Sequence, residues 1–156
     1  MSFSQGISSW VKKIDSFDIE KEAIDILEEN IEFLKHLLTE QLSKGIDGDG
    51  NQVTIFGRDY YSKFTIEIKT NYGKGLGSAT DRITNYMGGL FYSSIFVKIN
   101  GRNFSFSSDV PYFSDILLRS GGEKIIQLNR ENLDIFTKSV MIPELQKRFK
   151  SKVNGV

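Results

Sequence analysis

Apolar residues recur every three or four positions in two long stretches of this chain, and close to every second position in part of the sequence between them. Ile24, Leu27, Ile31, Leu34 and Leu38 repeat at helical spacing, with Ile26, Phe33, Leu37 and Leu42 widening the stripe. That period predicts one long amphipathic helix within residues 15–45. Asp15, Ser16 and Asp18 are its candidate caps, Glu20, Glu22 and Asp25 complement its positive end, and Gly45 stops it. About 26 helical residues would span about 39 Å, longer than a small core needs, so part of the helix is expected to pack on something outside its own domain. Over residues 1–14, Phe3, Ile7, Trp10, Val11 and Ile14 have similar spacing. This segment reads equally as an extra turn packed on the domain or as a docking arm anchored by Trp10.

Residues 46–128 read as sheet and loops. Ile46 to Gly57 is rich in Gly, Asp and Asn, the composition of turns. Phe64, Ile66 and Ile68 alternate with Thr65, Glu67 and Lys69, which predicts a half-buried strand, with a short helix as the alternative. Asn71 to Thr80 carries Gly73, Gly75 and Gly77 and reads as a loop. Leu90 to Ile99 is the clearest strand, Asn100-Gly101 is a two-residue hairpin signal, and Phe104 and Phe106 return on the partner. Pro111 pushes Val110 into an extended conformation and ends or edges the pairing. Ser114 to Leu118 predicts a short helix closed by Gly121-Gly122. Asn129 then caps a second long helix over residues 129–150, with Leu133, Phe136, Val140, Leu145 and Phe149 on one face. Pro143 should kink that helix near Val140 to Ile142, or restart it. Residues 151–156 read as a frayed basic tail. The expected fold is α+β in a single domain, residues 1–156: a long N-terminal amphipathic helix, a small antiparallel sheet with a central β-hairpin, and a long C-terminal helix kinked near a proline.

Charge and composition remove several functional classes. Twenty Lys and Arg balance twenty Asp and Glu, so no global field favours a nucleic-acid backbone and DNA binding as a main task is disfavoured. The absence of cysteine removes disulfides, thiolate chemistry and most zinc-site types, and fits a reducing compartment. Residues 1–13 lack the apolar run of a signal peptide, and no run of about 18 apolar residues occurs, so a soluble protein without a membrane partner is expected. Twelve Phe and six Tyr must fill a core or sit in interfaces. Phe91, Phe96, Phe104, Phe106 and Phe113 are too many for one side of a two-stranded ribbon. Ser93, Ser94, Ser105, Ser107 and Ser108 make its other side either solvent-facing or covered by a neighbouring subunit.

Candidate chemistry is thin. Asp47-Gly48-Asp49-Gly50-Asn51 resembles the start of a calcium loop, but Gln52 stands where such a loop needs glycine and Arg58 where it needs a bidentate glutamate. An Asx-rich turn is preferred. Gly73-Lys74-Gly75-Leu76-Gly77-Ser78 lacks the Gly-Lys-Ser/Thr of a phosphate loop and has Thr80 in place of a third dinucleotide-loop glycine, so a flexible loop is preferred. His36 is the only histidine, and without a nucleophile elbow no Ser-His-Asp order is credible around it. Glu28 with Glu29, and Asp15 with Asp18, belong to solvated helix faces. No catalytic residue, metal or cofactor is expected, and an enzyme using Asp47, Asp49 and a metal ranks third behind the two readings that follow.

The order Gly88-Gly89-Leu90, strand, Asn100-Gly101, return strand, Ser108-Asp109-Val110-Pro111-Tyr112, Gly121-Gly122 and long helix resembles the tail-completion and minor tail proteins of tailed bacteriophages, including the virion-morphogenesis group. In that family a Gly-Leu opens a hairpin and a Pro-Tyr-Ala or similar triplet marks the corner. Here Pro111-Tyr112-Phe113 makes the corner bulkier. The resemblance implies a structural virion protein that forms a homo-oligomeric ring at the head-tail neck or completes the tail, after assembly in the host cytoplasm. Its partners would be copies of itself and other neck or tail proteins, with DNA contact only by passage through a channel and no catalysis. Trp10, Phe91, Phe96, Phe104, Phe106, Pro111, Tyr112 and Phe113 are the candidate interface residues. Tyr72, Lys74 and Leu76 are candidates to order on assembly or to line the channel. From a different class, the alternative is an intracellular, non-enzymatic ligand- or peptide-binding regulatory module that uses the hairpin and the glycine loop.

Overall fold

The computed structural model describes residue 8, residues 11–73, residue 75 and residues 77–154. In chain order its elements are α1 (Ile19–Glu29), α2 (Ile31–Ser43), α3 (Lys63–Tyr72), α4 (Leu90–Ser93), β1 (Ile95–Asn100), β2 (Asn103–Ser108), α5 (Phe113–Arg119), a 3-10 turn (Glu123–Ile126), α6 (Arg130–Phe136), a π-helical turn (Thr137–Met141) and α7 (Ile142–Asn154). Among the described residues the fold is α+β, with the seven α-helices named above and a two-stranded antiparallel hairpin. Among the described residues no helix is long and apolar enough to cross a membrane. The chain groups into two compact units, one of residues 31–134 and one assembled from the segments up to Asn30 and from Ile135 onward.

In the two-segment unit, Asp18 caps α1 by accepting the Lys21 N–H at 3.0 Å. The expected long helix ends its first part at Asn30, which leaves helical geometry at φ −117° and ψ 23°. Its amide Nδ2 donates to the Ile26 carbonyl at 2.8 Å, the acceptor that its own backbone N–H would have taken. The apolar period continues unchanged across this break, so periodicity alone does not register it. α1 and α7 are joined by Arg148, whose Nη1 and Nη2 lie 3.1 and 2.6 Å from Glu22 and Glu29, and Phe17, just ahead of α1, meets Phe149 of α7 edge-to-face at 5.2 Å. The ion pairs are partly exposed and contribute about 1 kcal/mol or less.

The C-terminal helix bends by 24°. Pro143 offers no N–H to Ser139, and its ring crowds that carbonyl. The backbone re-registers just upstream, where Ile142 donates to Thr137 in a widened π-helical bond. The kink anticipated near Val140 to Ile142 is present.

Within the 31–134 unit, Leu34, Leu37, Leu38 and Leu42 of α2 are buried together with Val53, Ile83, Phe91, Ile95, Phe106, Ile116 and Ile125. The hairpin pairs Val97 with Phe106 and Ile99 with Phe104. Its central turn residues are Gly101 and Arg102, one position later than the Asn100-Gly101 signal, with Gly101 at φ 55° in the first central place. Two segments differ from the periodic reading. Leu90–Ser93, expected as the start of the strand, forms α4, because Gly88 and Gly89 turn the chain at φ 72° and 86° and the Ser93 and Ser94 hydroxyls bond back to the Leu90 and Phe91 carbonyls. Phe64 to Lys69, expected as a strand with helix as alternative, lies in α3, capped by Ser62 Oγ accepting the Thr65 N–H at 3.2 Å.

Candidate functional site

Helix α3 turns a lysine inward. Lys69 is 2% exposed, and its Nζ donates to Thr84 Oγ1 at 2.9 Å, the Gly77 carbonyl at 3.2 Å and Tyr61 Oη at 3.3 Å. The ammonium also lies 4.4 Å from the centre of the Tyr61 ring. All three acceptors belong to uncharged residue types, so burial dominates and pushes the Lys69 pKa down, while neighbouring Tyr61 works against that shift. Tyr61 Oη also accepts the backbone N–H groups of Thr84 at 2.9 Å and Asn85 at 3.0 Å. Two amides and an ammonium thus converge on one phenolic oxygen. Tyr92 Oη donates to the Thr84 carbonyl at 2.7 Å, and burial, the largest influence on it, pushes its pKa up and keeps it a donor. The polar knot ties together α3, Gly77, Thr84 and α4.

Gly77 is required by this packing. It sits at φ 86°, and a Cβ there would stand 3.0 Å from both Tyr86 Cβ and Tyr92 Oη. The glycine loop therefore has a packing role at Gly77, whose carbonyl also accepts from Thr84 Oγ1.

Tyr61 belongs in addition to the wall of a cavity of about 440 Å³, formed with Ile55, Phe56, Arg58, Tyr60, Ser62, Thr65, Asn85, Met87 and Arg119. Ile55 and Arg58 exchange backbone hydrogen bonds of 2.8 and 3.0 Å around Phe56 and Gly57, which sit at φ 49° and 76°. This is a mirror-image hairpin turn, and a phenylalanine at positive φ is strained in it. Its ring is 75% exposed. The turn is anchored by the Phe56 N–H, which donates to the Arg119 carbonyl at 2.8 Å. Asn85, itself at φ 53°, accepts from Ser120 Oγ through Oδ1 at 3.1 Å. Among the described residues, Asn85 Nδ2 and Arg119 Nε are buried donors with no hydrogen-bond partner. Each such group costs about 1–3 kcal/mol.

The residues singled out from the sequence are dispersed. Phe91 and Phe106 are buried in the interior of the 31–134 unit; Phe96, Phe104 and Phe113 are half-buried; Pro111 and Tyr112 are exposed. Phe91 stacks with Phe113 at 6.1 Å, and Phe104 meets Phe106 edge-on at 5.8 Å. Tyr72 ends α3 in an exposed position. Trp10, Lys74 and Leu76 lie outside the described residues. Asp47 serves its own turn: Oδ1 accepts the Asp49 and Asn51 N–H groups at 3.0 and 2.8 Å, and Oδ2 pairs with Lys124 at 3.0 Å. That is the Asx-turn chemistry preferred from the sequence.

Tyr61, Lys69, Thr84, Asn85 and Arg119 escape sequence reasoning because none belongs to a chemical motif, and the period-two reading of α3 put Lys69 on a solvent face. Comparison with family models, with curated proteins and with solved structures finds no match.

Proposed function

We propose that this chain is a non-enzymatic structural subunit of a tailed-phage virion that assembles with copies of itself into a ring at the head-tail neck or at the end of the tail. The observation that carries the reading is the inverted burial of α3. The helix hides Lys69 and presents Phe64 and Tyr72, 71% and 77% exposed, with Ile68 between them on the same stripe. Covering an aromatic or aliphatic side chain of this size contributes roughly 1.5–3 kcal/mol, and a second copy of the chain is the occupant that a ring supplies. Each subunit would then offer this stripe to a different patch on its neighbour, the head-to-tail contact from which closed rings form. The sequence resemblance supports the same reading, since Gly88-Gly89-Leu90, the hairpin, Pro111-Tyr112 and the final long helix occur in the family's order.

Light scattering on the purified protein, alone and mixed with neck and tail proteins, tests the proposal. The wild type should form a closed oligomer whose population rises with concentration. The double variant Phe64→Ser, Tyr72→Ser should remain monomeric with an unchanged circular-dichroism spectrum. A wild type that stays monomeric and binds none of those partners would sink the reading.

A further inference from the structure

We propose that the Phe56 turn of one copy of the chain seats in the groove beside the β-hairpin of the next, a pairing that rests on the ring reading and names both halves of its subunit contact. Phe56 sits in a turn at φ 49°, a backbone region that asparagine or glycine enters far more readily. Its ring is 75% exposed. The residue therefore costs the folded chain twice, through backbone strain and through a ring left mostly in water. Such strain persists where a side chain must be displayed. Tyr60, 61% exposed, and Met87, 49% exposed, stand with it in one cavity wall. Met87 also lines the neighbouring cavity with Ile68 and Tyr72, so the turn is continuous with the exposed stripe of α3.

A receptor of matching chemistry lies in the same unit. A groove of about 550 Å³ follows β2, and its wall includes Phe104, Phe113, Leu117 and Leu133. The first three are half-buried and Leu133 is 37% exposed, so its apolar wall is reachable from outside and offers an entering ring both aromatic and aliphatic contacts. Charge sets the register. Arg58 belongs to the Phe56 turn and Glu123 to the groove wall. Both are exposed, and among the described residues neither has an ion-pair partner. Opposite charges placed on the two halves favour this pairing over others. The walls around the turn and the groove share no residue, so one copy can give its turn to one neighbour while taking the turn of another, the head-to-tail relation that closes rings. A membrane surface would cover Phe56 without using the groove, and an unrelated protein would leave the match of turn and groove within one chain without a reason.

Light scattering of the whole chain over a range of concentrations tests the pairing. Phe56→Asn relieves the strained turn, so its fold should survive by circular dichroism, while the concentration needed for assembly rises about tenfold or more, the loss of one buried aromatic anchor. Leu133→Lys should do the same from the groove side. Mixed in equal amounts, these two variants hold one intact turn and one intact groove between them and should form a one-to-one complex that neither forms alone. Arg58→Glu and Glu123→Arg should each weaken assembly about threefold or more, and the chain carrying both should regain most of the loss. If Phe56→Asn and the charge variants assemble as the wild type does while the Phe64→Ser, Tyr72→Ser variant stays monomeric, the ring reading stands and this pairing is overturned. A mixture that forms no complex, or a doubly reversed chain no better than either single reversal, also overturns it. A wild type that is monomeric at every concentration overturns both. Should Leu133→Lys fail to fold, the charge exchange between Arg58 and Glu123, both on the surface, decides it.

Discussion

Replacing Lys69 by methionine removes a buried charge from the 31–134 unit while conserving most of its stem. Three hydrogen bonds disappear, yet none of their acceptors is left bare. Tyr61 Oη keeps the N–H groups of Thr84 and Asn85, and the Gly77 carbonyl and Thr84 Oγ1 keep each other. Hydrogen bonds to a charged group are worth about 1.5–3 kcal/mol each, whereas freeing the chain from burying an ammonium recovers several kcal/mol. These terms oppose each other, so Lys69→Met should change stability at pH 7 by no more than about 2 kcal/mol in either direction. Lys69→Ala removes the stem as well and leaves a void, and should be about 2–5 kcal/mol less stable than the methionine variant.

The pH dependence separates charge from volume. Burial lowers the pKa of Lys69 in the folded chain, whereas the unfolded chain keeps this proton until about pH 10.4. Between those two values the unfolded state binds more protons, so the wild type gains stability as pH rises, and the methionine variant lacks that gain. Tyr92, with its pKa raised in the folded chain, has the opposite effect above about pH 10. Its contribution is common to both proteins and cancels in their difference. Urea unfolding of wild type, Lys69→Met and Lys69→Ala at pH 7 and pH 10 measures all of this. A methionine variant as unstable as the alanine one, or a wild-type-minus-methionine difference flat in pH, would refute the reasoning.

Gln41→Leu should cost roughly 2–4 kcal/mol in urea unfolding, because this buried amide donates to the Gln127 carbonyl at 2.8 Å and accepts from Asn129 N and Asn132 Nδ2 at 2.9 and 3.0 Å. Phe56→Asn should stabilise by about 0.5–1 kcal/mol in thermal melts, since asparagine tolerates the positive φ of that turn; a loss would show that the exposed ring packs more than its accessibility indicates. Pro143→Ala restores a donor for the Ser139 carbonyl, and residual dipolar couplings along residues 130–154 should report a bend below the present 24°. An unchanged bend would place its cause elsewhere in the helix.

Local chemistry was legible at several positions where one residue decides the backbone. Asp18 and Asn129 cap the helices they were expected to cap, through bonds of 3.0 and 2.9 Å. Gly45 ends α2 at φ 71°, and Pro143 lies just past the widened turn. Legibility failed where tertiary partners outweighed periodicity. α3 follows its Ser62 cap and the three bonds of Lys69, not the alternation of Phe64, Ile66 and Ile68. Asn30 is a local exception: its amide captures the Ile26 carbonyl at the end of α1, while the apolar period runs on unbroken. The candidate site was illegible for a further reason: Tyr61, Asn85 and Arg119 come from separate segments, and two of them matter through donors that lack partners, a property no linear pattern expresses.

The unit built from both ends of the chain has a consequence for the order of events during synthesis. Residues 31–134 are contiguous and can leave the ribosome and fold as a block. Glu22, by contrast, must wait for Arg148, a partner 126 positions downstream, and Phe17 waits for Phe149. Throughout elongation α1 therefore travels without α7 to cover it. A nascent chain stalled before α7 would carry a complete inner block and an uncovered amphipathic helix, the kind of surface that a chaperone recognises and that a finished molecule hides.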